Sequence, residues 1–429
     1  MRAASFSGGL RLPVPEAAEE IKPLEIMPPP EHVIIPLKQH VGSTCDPLVK
    51  KGAKLKLGSL IGESHVATIH ASLSGKVAEL NKAFPLHSGE KVPAVSIEGQ
   101  GDDGPASEYM QGKQSMGKIL FSGLVDGDRA LMPVLEKIQK AQKHRVRTLI
   151  INGLEEFFID GCKTALLREK ATDIAQGITI LQELTWAEEA HLAVYADALP
   201  YLEGLQEALP ASVQLRPLSS KHPQYRDQLI VSSIKQQEYP VESSPEEIGI
   251  CIMDAETAYG AARAVLHNEP FLDKCITIAG SGVDSPRNLR VRLGTSFREV
   301  LHFVGIDTEP IGKLIIGGPL SGMAVHSLDL PVTKDVGQLF VQSRGEVRAP
   351  QPVTCIKCGF CVQVCPMRLM PFLLSGFSEG GHFDLAEAND IFSCIECGCC
   401  AYVCPSNIPM VQWIQLGKSV ISSQRSEAL

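Results

Sequence analysis

Cys355, Cys358, Cys361 and Cys365 follow the spacing C-x2-C-x2-C-x3-C-P, and Cys394, Cys397, Cys400 and Cys404 repeat it about thirty residues later. Three thiolates on one tight loop can wrap one face of an iron–sulfur cubane, and the proline then turns the chain away. In modules built from two such runs, the fourth cysteine of each run ligates the other run's cluster. The spacing therefore assigns Cys355, Cys358, Cys361 and Cys404 to one [4Fe–4S] cluster, and Cys394, Cys397, Cys400 and Cys365 to a second. Four thiolates also suit tetrahedral zinc. The doubled run, closed each time by proline, favours the cubanes. Cys399 falls outside the pattern and reads as a packing residue or a group beside a cluster. Cys45, Cys162, Cys251 and Cys275 have no ligand spacing and read as buried structural thiols.

Thiols in metal-ligand spacing point to a reducing compartment rather than to disulfides. The 40 Lys+Arg against 49 Asp+Glu give a net charge of −9, and no long basic run could neutralise a phosphate backbone, so nucleic acid is not an expected partner. No run of roughly 18 apolar residues could span a bilayer. The opening MRAASFSGGLRLPVPEAAEE has no continuous apolar stretch and soon turns acidic, which disfavours a secretory signal.

With 429 residues the chain exceeds what a single core usually covers. Residues 1–30 form an arm ending in MPPP, with little prospect of an independent strand. Residues 31–100 break into short strand-like pieces between glycine turns, as in a small β-sandwich. Residues 117–280 alternate helical and strand patterns, as an α/β sheet with crossover helices does. Residues 281–335 read as a compact β-plus-helix unit, 345–415 as the cysteine module and 416–429 as a tail. The fold class is multidomain α/β.

FSGGLRLP, EIMPPPEHVIIPLKQHVG, HASLSGKV, TLIINGLE, NLRVRLGTSFREVL and GGPLSGMA, followed by the cysteine runs, occur in an order that resembles the RnfC family, the C subunits of the Rnf electron-transport complex. Relatives of that family include the flavoprotein subunit of respiratory complex I. The resemblance implies a barrel-sandwich hybrid, a flavoprotein-like α/β domain, a β-grasp (SLBB-like) unit and a dicluster ferredoxin-like module. HASLSGKV is also similar to the turn of biotinyl carrier domains, where Lys76 would be modified; within this family the turn is structural.

The same resemblance exposes a departure. Members that oxidise NADH carry a glycine-rich G-x-G-G-A-G-F-P loop that admits a flavin phosphate. Here FSGLVDGDRALMP keeps only Gly123 and Gly127 and places Asp126 and Asp128 where the phosphate would approach. The family's N-G-A-E-C-E-P-Y survives only as Asn152, Gly153 and Glu155, a vestigial flavin site. Tyr225 replaces a glycine, and Asp254 an asparagine. These losses count against FMN and NADH binding. What they leave is an iron–sulfur relay without catalytic residues of its own, working with other redox subunits. It would be cytoplasmic, or peripheral on the cytoplasmic face of the inner membrane. An FMN-dependent NADH dehydrogenase subunit with a divergent pocket stays as the alternative, and a scaffold whose clusters chiefly hold the last domain together is a third reading.

Overall fold

The computed structural model describes residues 3–12, 21–100, 110, 112–127, 131–156, 161–240, 242–306, 311–348 and 351–427. Near the N-terminus, alternating apolar residues build a sandwich. Val33 and Ile35, two apart on strand His32–Pro36, point to the same face and are buried with Val77, Val95 and Ile97 of the neighbouring strands. This four-stranded antiparallel sheet (His32–Pro36, Lys91–Gly99, Gly75–Pro85, Lys54–Leu55) faces a three-stranded one that contributes Ile61 and Ile69. Lys76 lies within strand Gly75–Pro85, in register with Lys54 and Glu98. A Cβ on the preceding Gly75 would lie 2.0 Å from the Glu98 carbonyl oxygen, so this turn needs glycine for strand packing.

The central domain is a four-stranded parallel sheet in the order Val213–Leu218, Glu189–Tyr195, Thr148–Asn152, Ile250–Asp254. Both faces are covered by helices, so strand Thr148–Asn152 is buried at every position. Helix Ala255–His267 follows directly from Ile250–Asp254, and the Asp254 side chain caps it by accepting the Glu256 N–H at 2.9 Å.

The sheets divide the chain differently from the expected boundaries at 280 and 335. Strand Asp273–Ala279 does not join the parallel sheet; it forms a hairpin with Arg287–Arg292. Its partner is set by a short turn that periodicity alone does not distinguish from a crossover. A six-stranded mixed sheet results, in the order Leu24–Ile26, Arg287–Arg292, Asp273–Ala279, Gln338–Ser343, Ile311–Ile316, Met323–Ala324. Helix Phe297–Phe303, with a Ser296/Glu299 capping box, packs Phe297, Val300 and Leu301 into its core. The arm supplies the edge strand Leu24–Ile26, because a sheet edge satisfies backbone groups that a lone segment cannot.

The cysteine module is helical. Pro371–Glu379 packs on Met410–Glu427, burying Leu374, Ile391, Ile414 and Ile421. The expected tail from 416 is therefore the larger part of a helix. No helix among the described residues is long and apolar enough to cross a membrane.

Candidate redox centres and the adjoining cavity

The two cysteine runs repeat in backbone conformation as well as in sequence. Lys357 and Glu396 take left-handed φ values of 57° and 54°, and Gly359 and Gly398 both take 80°. After each Cys-Pro, Arg368 and Asn407 do the same at 55° and 52°. These turns curl the loops so that backbone N–H groups face sulfur: Lys357 donates to Cys355 Sγ, Glu396 to Cys394 Sγ and Leu369 to Cys365 Sγ, each at 3.4 Å. Donors of this kind favour the thiolate.

Cys355, Cys358, Cys361 and Cys404 line one cavity, with Phe372 and Met410. Cys365, Cys394, Cys397 and Cys400 line a second, and Cys399 shares that wall. Among the described residues no three His, Cys, Asp or Glu side chains converge as a single metal ion would require. The first quartet lies near the surface, with Cys358 exposed beside Ile356 (67 % exposed) and Phe360 (49 %). The second is deeper, with Cys397 and Cys400 buried.

Three segments lock the deeper quartet to the rest of the chain. His222 Nε2 lies 2.7 Å from the Cys397 carbonyl oxygen. Gly398 packs so tightly on Leu320 that a Cβ there would come within 2.2 Å of the Leu320 carbonyl oxygen. In the arm, Gly9 donates its N–H to Val364 O at 2.8 Å, while Leu10 bridges to His222. Sequence spacing gave no sign of these contacts, since the partners are about 80 to 360 positions apart. Lys418, also unforeseen, donates to the Cys394 carbonyl at 2.6 Å.

A cavity of about 460 Å³ lies at the meeting of the sandwich, the parallel sheet and the mixed sheet. Of the three vestigial positions, only Glu155 lines it. Both polar ends of the Asn152 amide serve the backbone: Nδ2 donates to Tyr225 O at 3.0 Å and Oδ1 accepts Leu154 N–H at 3.0 Å. Gly153 is a packing position, where a Cβ would lie 2.8 Å from Ala193 O. Tyr225 projects into the cavity wall, its hydroxyl 3.1 Å from Glu156 Oε1 and from Ser321 Oγ.

Asp126 is 4 % exposed, and its carboxylate sits at the N-terminus of helix Ala255–His267. There Oδ1 accepts the Asp254 N–H at 2.7 Å and the Thr257 hydroxyl at 2.5 Å, and Oδ2 pairs with Lys137 at 2.5 Å. A helix N-terminus with free N–H groups is a ready anion site; here the chain's own carboxylate fills it. Asp254 pairs with Lys163, and Glu256 with Lys274. Asp128 and Phe157–Ile159 lie outside the described residues.

Glu155 accepts the Thr164 N–H at 2.9 Å, and burial pushes its carboxyl up to about 7, against the pull of Lys163. The unfolded carboxyl, near 4.5, binds its proton more weakly, so the folded state holds more protons between these values. Stability contributed by protonated Glu155 is thus present below about 4.5 and lost as pH rises toward 7. Glu155→Gln is expected to flatten the stability-versus-pH curve in that window by up to about 3 kcal/mol, read from denaturation midpoints at several pH values. The four single cysteines are all buried, and burial pushes the Cys162, Cys251 and Cys275 thiols up, keeping them protonated.

Residues 4–102 match the family described as RnfC Barrel sandwich hybrid domain, 119–263 the Nuo51 FMN-binding domain and 354–408 the 4Fe-4S dicluster domain. The second match leaves the sequence expectation against FMN unsupported. Among curated relatives, the C subunit of an ion-translocating oxidoreductase complex of Rhodobacter capsulatus is 31 % identical over 99 % of this chain and 85 % of its own length. The C subunit of a proton-translocating ferredoxin:NAD(+) oxidoreductase complex of Clostridium ljungdahlii is 30 % identical over 86 % and 84 %. A Na(+)-translocating counterpart of Acetobacterium woodii is 29 % identical over 99 % of each chain. A solved NAD+-reducing [NiFe]-hydrogenase overlaps 71 % of this chain and 60 % of its own, with a TM-score of 0.48 and 14 % identity.

Proposed function

Since the chain belongs to the RnfC family, the C subunits of ion-translocating oxidoreductase complexes, we propose that it is the iron–sulfur relay of such a complex, with no resident FMN and no NADH site of its own. The observation that carries the relay is the grouping of the cysteines: each cavity collects three from one run and the last from the other. Cys355, Cys358, Cys361 and Cys404 would hold one [4Fe–4S] cluster, and Cys394, Cys397, Cys400 and Cys365 the other. Bound clusters supply one-electron carriage. The chain's own residues fix the environment: N–H groups of Lys357, Glu396 and Leu369 favour the thiolates, while His222 and Lys418 hold ligand carbonyls in place.

The two quartets differ in access, which supports a direction in space for the relay. The buried quartet is held by His222 and Leu320, whose chain neighbours line the large cavity, and the shallow one lies beside Ile356, which is exposed as are Val353, Phe360 and Tyr402 of the same module. A redox partner with a complementary apolar face would dock there, on the cytoplasmic side of the membrane complex.

What speaks against FMN is the phosphate end. Among the described residues, the helix N-terminus that could receive it is taken by Asp126, with Asp254 and Glu256 alongside. Like charges at such distances repel strongly where water is scarce. The retained cavity and the match over 119–263 favour the second reading, an FMN-dependent NADH dehydrogenase subunit. Anaerobic reduction separates the two. In iron-replete protein, dithionite is expected to bleach the cluster absorbance, and NADH with added FMN is expected to leave it unchanged. Rapid bleaching by NADH would establish the second reading instead.

A further inference from the structure

The two cysteine loops match in conformation but differ in charge. Lys357 of the first run and Glu396 of the second occupy equivalent places, with left-handed φ values of 57° and 54° and backbone N–H groups donating at 3.4 Å to Cys355 Sγ and Cys394 Sγ. The potential of an iron–sulfur cluster depends on the charge and hydrogen bonding around it, because each reduction adds one electron to the site. A cation on the loop favours that electron and a carboxylate opposes it, more strongly where water is scarce. The shallow loop therefore carries a favourable charge. The deeper loop, whose Cys397 and Cys400 are buried, carries an adverse one.

Helix Met410–Glu427 answers the adverse charge. Ile414 and Ile421, seven positions apart, are buried in the core of the module and set which face of the helix looks inward. Gly417 lets that face come close: a Cβ there would lie 2.3 Å from Ser378 Oγ and 2.8 Å from Ile391 Cδ1. Gln415 and Lys418, three positions apart and so neighbours on the helix surface, both reach Glu396. Gln415 Nε2 donates to Oε2 at 2.8 Å, and Lys418 Nζ to Oε1 at 2.8 Å. Lys418 also donates to the Cys394 carbonyl at 2.6 Å, so its charge lies against a cysteine of the deeper quartet. Both side chains of the ion pair are only 17 % exposed, which leaves little water to screen them.

We propose that Lys418 is the positioning and tuning residue of the deeper centre: it cancels the Glu396 charge, holds the Cys394 carbonyl and makes one-electron reduction there easier. This role rests on the reading of the chain as a relay, in which the electron comes from a redox partner of the complex.

A redox titration of full-length, iron-replete protein with dithionite, followed by low-temperature EPR, tests it. The deeper centre is identified as the signal that survives when Cys355 and Cys404 are both replaced by Ala. Lys418→Met is expected to make that centre at least tenfold harder to reduce, about 59 mV lower for one electron, with the other signal unmoved. Lys418→Arg is expected to stay close to the unaltered chain. Adding Glu396→Gln to Lys418→Met is expected to recover at least half of the shift, which a loss of helix packing alone would not allow. Glu396→Gln by itself leaves Lys418 in place and is expected to make the deeper centre easier to reduce, so the proposal stays readable if Lys418→Met loses iron. An unchanged midpoint in Glu396→Gln, or in iron-replete Lys418→Met, or no recovery in the double variant, overturns the tuning role and leaves the relay standing. Absence of reversible reduction at either centre of the unaltered chain overturns both.

Discussion

Removing Cys355 together with Cys404 is expected to leave one intact cluster per chain, whereas removing Cys355 together with Cys365 leaves none. The first pair lies in different runs but lines one cavity; the second lies in one run but is divided between two cavities. If each run instead held its own cluster, the outcomes would exchange. Cys355→Ala with Cys404→Ala should therefore lose about half the iron and keep an unperturbed signal from the remaining centre. Cys355→Ala with Cys365→Ala should disturb both signals. Iron analysis with low-temperature EPR of the reduced protein reads both results. Electron throughput should vanish in either variant, since the relay needs both centres. Because cluster ligation contributes to folding, the second variant should also lose thermal stability, with helices Pro371–Glu379 and Met410–Glu427 melting first.

The second large effect concerns Asp126. Its carboxylate is the acceptor for the Asp254 N–H, the Thr257 hydroxyl and the buried Lys137 ammonium. Burial would pull Lys137 below an ordinary lysine, but Asp126 outweighs it and holds the group well above. Removing one partner of a buried pair leaves an uncompensated charge, at a cost of about 3–5 kcal/mol. Asp126→Gly is expected to lower the unfolding free energy by that amount, read as a lower denaturation midpoint with the m-value unchanged. The vacated helix N-terminus and the unpaired Lys137 then make an anion site. Millimolar inorganic phosphate or FMN should recover part of the lost stability in Asp126→Gly and do nothing for the unaltered chain. Recovery in both proteins, or in neither, would show that Asp126 does not occupy a phosphate position.

How much of this could be read from the chain depends on the range of the interaction. The cysteine spacing is local, and the residues it groups also share cavity walls. The sandwich and the parallel sheet were legible from periodicity, because alternation in His32–Pro36 and continuous burial in Thr148–Asn152 follow from which faces are covered. Sheet membership was not. Asp273–Ala279 and Leu24–Ile26 are ordinary strand sequence, and their partners are fixed by tertiary topology.

The pocket repeats the pattern at smaller scale. Reading Asp126 as a carboxylate opposed to phosphate rested on its sign and its neighbours. The sequence could not reveal that Asp126 accepts the N–H of Asp254, the capping residue of a helix that begins more than a hundred positions later. Nor could it separate Glu155, which lines the cavity, from Asn152, whose amide is committed to backbone. His222 gave no signal in the sequence, since its contact with the Cys397 carbonyl exists only in the folded chain.

What the chain carries when isolated within its complex decides between a relay and a flavoenzyme. Iron, acid-labile sulfide and flavins, each identified by chromatography after denaturation and counted per chain, test this most directly. The expected result is iron and sulfide sufficient for two [4Fe–4S] clusters, with no FMN assigned to this polypeptide. One FMN per chain, or iron sufficient for only one cluster in a preparation with full sulfide, would contradict it.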